Sequence, residues 1–374
     1  MILDILSYTL NMTKEEKIRI IKRNCQEVLT EEDLKKLIES GKPINHYIGF
    51  EISGLVHLGT GYMSMGKIAD FLKAGARCKI FLADFHTYLN NKLGGDWDNI
   101  RWASENYFKQ ALIASLQCFG VEENQVEFVS GKKLYEENPI HWQNFMEIGK
   151  QVTLSRNLRS ISIMGKAKGN EVDMATLFYP PLQVADIATM DINLAHAGMD
   201  QRKAHVIARE VIKKIRGNHQ TPVAIHHNLI AGLTAPEGED DQESLKMSKS
   251  KPNSAIFVHD SPDEIREKIK KAYGPPGTVE FNPLLNWLET LVFWGEKELE
   301  DGFEIKRPER FGGDVIYYKT TDLINDYKNN KLFPLDLKNG LADWLIEKLE
   351  PVRKFFEVKE HKQAMEKMKK LILI

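Results

Sequence analysis

The segment His46-Tyr47-Ile48-Gly49-Phe50-Glu51-Ile52-Ser53-Gly54-Leu55-Val56-His57-Leu58-Gly59-Thr60 decides the fold. HYIGFE reads as a strand. Its period of two puts Tyr47, Gly49 and Glu51 on one face and His46, Ile48 and Phe50 on the other. SGLVHLGT is then a glycine-bearing turn, and MGKIADFLKAG beyond it a helix. Gly54 and Gly59 let backbone approach a ligand, the helix amino end favours anions, and His57 adds a donor at the same edge. Downstream the rhythm repeats: strand CKIFLAD, a helical stretch from Asp98 to about Phe119, strand QVEFVS, and helical material around Trp142 to Arg159. A helix after Pro180, strand INLAHAG, a helix from about Asp200 to Ile215 and strand PVAIHH complete it. This α/β alternation predicts a Rossmann-like, doubly wound parallel sheet over 46–255, with ligands at the carboxyl ends of its strands.

Upstream, Thr13 with Glu16 and Thr30 with Asp33 look like capping boxes, and Gly41 with Pro43 stops the second helix. Residues 1–45 are thus expected to form an N-terminal helical segment. After His227 the character changes. An acidic, glycine-bearing loop (237–253) carries LKMSKSKPN, followed by a short strand AIFVHD and a helix opened by Ser261-Pro262-Asp263-Glu264. From 256 to 374 the pattern predicts a mostly α-helical C-terminal domain with one β-like stretch near Phe303 to Lys306. Its locally basic tail after Pro351 reads as a solvated helix face.

Composition narrows the classes. Among 374 residues, 42% are hydrophobic and 28% charged, which is globular composition. Lys+Arg 51 against Asp+Glu 53 excludes a generally basic coat of the histone kind. Cys25, Cys78 and Cys118 are scattered and odd in number, without metal or disulfide spacing, so a cytoplasmic location is expected. No apolar run approaches the roughly 18 residues of a membrane span. MILDILSYTLNM carries Asp4 and has no basic residue ahead of its apolar stretch, so it reads poorly as a signal peptide.

Lys246-Met247-Ser248-Lys249-Ser250 places two lysines and two hydroxyls in five residues, a set suited to a polyphosphate. Paired with the upstream His57-Leu58-Gly59 at a first strand–helix turn, it resembles the signature of class I aminoacyl-tRNA synthetases. Between Pro180 and Ala188 the only polar side chains are Gln183 and Asp186, which stand with Tyr179 at i, i+4 and i+7. The two prolines place the helix start at Pro180. On pattern alone, Gln183 and Asp186 could equally face water. Gly198-Met199-Asp200-Gln201-Arg202-Lys203 joins a strand to a helix, another binding-edge position.

The segments YIGFEISG, FLADFHTYLN, YPPLQVADI, HAGMDQRKAH, KMSKSKP, RFGGD and PLDLKN together resemble tyrosyl-tRNA synthetases of the archaeal and eukaryotic type, from about His46 to about Phe356. The resemblance implies that Tyr47 and Asp186 bond the phenolic hydroxyl of tyrosine, that Tyr179, Gln183 and Gln201 hold its α-amino end, and that His86 lies at the pocket edge. It implies ATP binding by Gly49, Gly54, His57, Gly59, Asp200 and Lys249, and catalysis by His57, Lys246 and Lys249. Thr60 stands where many class I enzymes have a second histidine. Phe311, Phe333, Pro334 and Asp336 match positions around the first anticodon base, although many relatives carry histidine at the place of Phe333. Partners implied are tRNA(Tyr), L-tyrosine and ATP with its Mg²⁺, without a protein-held metal, a membrane or DNA. A homodimer through about 127–170, which contains Trp142 and Phe145, is implied as well, and no editing domain. Three rival readings remain: a tryptophanyl-tRNA synthetase, a nucleotidyltransferase sharing the HxG turn, and a non-catalytic RNA-binding paralogue.

Overall fold

The structure, a computed structural model, describes residues 12–165, 172–215, 221–235, 247 and 254–372. At its centre lies a six-stranded sheet of order β1-β6-β5-β2-β3-β4. The strands are β1 (Cys25–Leu29), β2 (Ile44–Phe50), β3 (Ala76–Leu82), β4 (Val126–Ser130), β5 (Leu194–Gly198) and β6 (Val223–His227). Strands β2 to β6 run parallel, each within two residues of the bounds read from sequence. They are legible because strands covered on both faces are short apolar runs bounded by turns. Ile48, Ile80, Leu194 and Ile225 pack on one face, while Tyr47, Phe81 and Ala195 pack on the other. From β2 the chain winds outward to β3 and β4, then returns to β5 and β6 on the far side. The switch point between β2 and β5 is where such sheets bind ligands.

Three expectations need correction. The N-terminal segment holds the predicted helices, Lys14–Lys22 and Glu31–Glu39, capped by Thr13 and Thr30. Between them, however, CQEVL forms β1, which pairs antiparallel with β6 and is the edge strand on that side of the sheet. AIFVHD is not a strand. It makes a single bridge, His57 with Phe257, framed by Leu58 N–H to Ile256 O (3.0 Å) and Val258 N–H to Val56 O (3.0 Å).

The third correction concerns Pro180 and Pro181, which lie inside a helix running Met174–Thr189 from an Asp173 cap. An interior proline removes a helical donor, at a cost of about 3 kcal/mol. Here the Leu177 carbonyl, four residues before Pro181, accepts instead from Asn157 Nδ2 at 2.7 Å. A neighbouring helix, Leu154–Ser160, thus supplies what the proline withholds.

The C-terminal region is mostly helical, as expected, from the Ser261-capped helix Pro262–Lys271 to Lys359–Leu371. Its β-like stretch is one half of a hairpin, β7 (Glu298–Ile305) with β8 (Val315–Lys319). Buried Lys67 ties the parts together. Its ammonium donates to Ile21 O (3.1 Å) and Arg23 O (2.5 Å), and pairs with Asp70, which also accepts from Trp294 Nε1 at 2.9 Å. Among the described residues no helix is long and apolar enough to cross a membrane.

Candidate active site

A cavity of about 810 Å³ opens at the carboxyl ends of β2, β5 and β6. Tyr47, Gly49, Gly54, His57, Gly59, His86, Tyr179, Gln183, Asp200 and Gln201 all contribute to its wall, so the sequence-predicted residues of four segments converge. Asp186 does not: it is fully buried beside the cavity.

Along β2 the expected face is seen. A methyl group at Gly49 would stand 2.6 Å from the Tyr47 hydroxyl, so Gly49 is what lets that ring lie along the strand. Glu51, next on this face, accepts from Tyr179 Oη at 2.7 Å and from Asn90 Nδ2 at 2.9 Å. Tyr179 is thereby held at the wall with its hydroxyl already donating. Gln183 Nε2 reaches Gln201 Oε1 at 3.4 Å, and Gln201 Nε2 donates to Ile163 O at 3.0 Å. Gln183 Oε1 is buried with no protein partner.

At the deep end, Asp186 Oδ1 accepts from Tyr135 Oη at 2.9 Å, while Oδ2 has no hydrogen-bond partner and lies 3.6 Å from His86 Nε2. Both His86 nitrogens are also unpartnered. Buried polar groups are normally paired, so this cluster marks where a polar ligand atom belongs. Burial pushes the Asp186 carboxyl well above the usual range, with the Asp84 carboxylate adding to it. Burial also raises the Tyr47 phenol, and Asp186 beside it adds to that shift. Burial holds His86 down at about 3, so it is neutral near pH 7. Glu51 and Tyr135 were missed as supporting residues. Only Glu51 left a signal, its place on the Tyr47–Gly49 face.

The glycine turn is built around His57. Its Nδ1 accepts from Gly59 N–H at 3.0 Å, so the neutral ring carries its proton on Nε2, 3.5 Å from Thr60 Oγ1. A methyl at Gly59 would come within 2.9 Å of the ring. The turn continues through a π-type turn, Gly59–Met63, and a methyl at Gly61 would meet Val258 at 2.4 Å. Lys246 and Lys249 lie outside the described residues. Met247 between them is buried in the cavity wall, its N–H bonded to Ile230 O at 2.8 Å. Chain 254–258 beyond the motif is bonded to the His57 turn as described.

At the other end of the molecule, Phe311 (53% exposed) sits in the turn between β7 and β8, and Phe333 (52% exposed) caps the helix Pro334–Lys348. Pro334 opens that helix and Asp336 lies in its first turn. Arg307 ties the two segments, donating to Gly313 O at 2.9 Å and Lys331 O at 3.4 Å.

A nucleotide-type sheet whose switch-point cavity joins an HxG turn to Met247 of a KMSKS sequence, followed by a helical domain with exposed aromatics, defines a class I aminoacyl-tRNA synthetase. The family tRNA synthetases class I (W and Y) matches residues 39–350. The tyrosine–tRNA ligase of Thermococcus sibiricus is 47% identical, over 96% of this chain and 98% of that one. That of Pyrococcus furiosus is 48% identical over the same shares. The crystal structure of tyrosyl-tRNA synthetase complexed with L-tyrosine from Pyrococcus horikoshii aligns with a TM-score of 0.90 at 46% identity, covering 96% of this chain and all of that one. The chain belongs to the class I tRNA synthetase family, among tyrosyl-tRNA synthetases of the archaeal and eukaryotic type.

Proposed function

We propose that this chain joins L-tyrosine to ATP, releasing pyrophosphate, and then transfers the tyrosyl group from the adenylate to the terminal ribose of tRNA(Tyr). The observation that carries the assignment is the deep end of the cavity. There, the Tyr47 hydroxyl lines the wall, and Oδ2 of Asp186, buried just behind it, has no hydrogen-bond partner. Phenylalanine would leave Asp186 Oδ2 unpaired, and an unpaired buried polar group costs about 1–3 kcal/mol. Tyrosine's hydroxyl donates to Asp186 Oδ2 and accepts from Tyr47. An indole would fill the space but could not both donate and accept there, which sets the tryptophanyl reading aside. Gln183, Gln201 and Tyr179 receive the α-ammonium group.

The tyrosine carboxylate is ionised near pH 7 and attacks the α-phosphorus without a general base. What the chain contributes is position and charge stabilisation. His57 Nε2–H points where charge develops, Gly49, Gly54 and Gly59 admit the nucleotide, and Thr60 adds a hydroxyl. Lys246 and Lys249 close on the pyrophosphate. Support for that role comes from Met247 and the chain after the motif, both anchored at the cavity. Among the described residues no three His, Cys, Asp or Glu side chains converge as a metal cage. Mg²⁺ accompanying ATP would ride on phosphate oxygens and water.

The exposed Phe311 and Phe333, with Pro334 and Asp336, receive an unstacked anticodon base, the carboxylate accepting from guanine. A homodimer is supported by apolar side chains left open on three neighbouring helices, Ile140–Gln151, Leu154–Ser160 and Met174–Thr189: Ile140, Trp142, Met146, Leu158 and Phe178 are each 43–62% exposed. We place the reaction in the cytoplasm.

Pyrophosphate exchange into ATP, run with tyrosine, tryptophan and phenylalanine and without tRNA, tests the assignment. Exchange with tyrosine alone is expected. Exchange with tryptophan would refute the roles of Tyr47 and Asp186. Silence with all three, in a folded sample that binds tRNA, would favour the non-catalytic paralogue.

A further inference from the structure

Eleven histidines are present in the chain, and three of them form a file through the sheet. His46 of β2, His196 of β5 and His227 of β6 share one face, since His46 lies opposite Leu194, His196 opposite Ile225 and Gly198 opposite His227. His46 Nε2 meets His196 Nδ1 at 3.2 Å, and His196 Nε2 meets His227 Nδ1 at 2.8 Å. His46 and His196 are fully buried. His227 reaches the cavity wall.

Burial holds all three rings neutral, His46 at about 3, His227 at about 4 and His196 well below its ordinary value. A neutral imidazole has one N–H and one lone pair. Each link therefore fixes the next, and the file has only two arrangements. In one, every ring donates toward the cavity: His46 Nε2–H to His196, His196 Nε2–H to His227, and His227 Nε2–H outward. In the other, every ring donates inward, ending on a His46 Nδ1–H.

Both ends select the first. His46 Nδ1 is buried without a partner. An orphaned N–H is costlier and rarer than an orphaned acceptor, and the Lys67 ammonium nearby repels an N–H and attracts a lone pair. At the cavity end the Asp200 carboxylate attracts the outward N–H. The two side chains flank one point: a methyl at Gly198 would stand 2.8 Å from Asp200 Oδ1 and 3.5 Å from His227 Nε2.

We infer that His227 is a nucleotide-contact residue, its Nε2–H donor locked by the buried file His46–His196–His227 and paired with the Asp200 acceptor to grip the ribose. A donor beside an acceptor matches a hydroxyl-bearing group, and a carboxylate at this edge of a doubly wound sheet is a ribose partner. His196 and His46 act as positioning residues, reaching the nucleotide only through His227. The inference rests on the proposed ATP-dependent reaction.

Two measurements test it. In histidine-¹⁵N-labelled protein, two-bond ¹⁵N–¹H correlation reads each ring's tautomer directly. His46, His196 and His227 should all carry the proton on Nε2, and a proton on Nδ1 of His227 overturns the inference. In pyrophosphate exchange, His227→Leu should raise the KM for ATP about fivefold with the KM for tyrosine unchanged, and His227→Gln, which keeps a donor, should recover most of the loss. His196→Leu should move the same constant by less. Equal change in both KM values, or none in that for ATP, would reduce the file to core packing. Absence of exchange by the unaltered protein would sink the reaction instead, while the tautomers would remain readable.

Discussion

The cavity of the sheet and the aromatic platform of the helical domain both present rings and a carboxylate, yet they are built in opposite ways. Tyr47, Tyr179, Gln183 and Asp186 are between 0 and 8% exposed, and are fixed by Gly49, Glu51, Gln201 and Tyr135. Phe311 and Phe333 are more than half exposed, with the Arg307 strap between their segments. A buried, pre-bonded site discriminates by what it leaves unpaired, so its preference for one small molecule is steep. An open ring offers a surface on which any base can stack, and under the proposed anticodon role the carboxylate beside it supplies the choice.

The contrast predicts that damage to the two regions separates in the two steps of the reaction. The largest effect is expected at the turn. His57→Ala should slow tyrosyl-adenylate formation about 10²–10³-fold, read by pyrophosphate exchange, and undiminished exchange would remove His57 from the mechanism.

A second effect, on stability rather than catalysis, is acid sensitivity of the folded chain. Burial holds His46, His86 and His259 at about 3 and His141 and His227 at about 4, all below the unfolded value near 6.5. The unfolded chain therefore binds protons that the folded one refuses. Stability complete above about pH 6.5 is lost on the way down, by roughly 1.4 kcal/mol per histidine for each pH unit. Asp84, raised by burial to about 6, and Asp186, raised as well, work the other way, gaining a proton earlier when folded. The five histidines, with His196 also held low, outnumber them and give a net loss. The urea midpoint should drop between pH 7.5 and 5.5, and a constant midpoint would mean that these rings are not held neutral.

Smallest is Asp336→Ala, expected to weaken aminoacylation of tRNA about tenfold, as for one lost charge-assisted hydrogen bond, with adenylate formation untouched. Equal loss in both assays would erase the distinction between the regions.

How much of this was legible in the sequence follows from the range of the interactions. The five parallel strands and the HxG turn are written locally, as apolar runs and glycines. β1 was not: CQEVL carries Gln26 and Glu27, and its strand character comes from β6 and from Glu27 bonding Arg202 and His226. The proline-bearing helix was misjudged at its start because the donor that permits it, Asn157, lies in another helix. In the site, the i, i+4, i+7 spacing brought Tyr179, Gln183 and Asp186 to notice. The grip of Tyr135 on Asp186 and the histidine file depend on strands and helices meeting, and no local pattern announces them.

The antiparallel β1 has one more consequence. It covers the backbone edge of β6, which would otherwise offer unpaired N–H and C=O groups to any passing strand. A chain lacking residues 12–43 would keep its cavity residues in sequence but expose that edge, and would be prone to pair with its own copies. The N-terminal segment is in this sense a guard against aggregation, placed beside the strand that ends in His227.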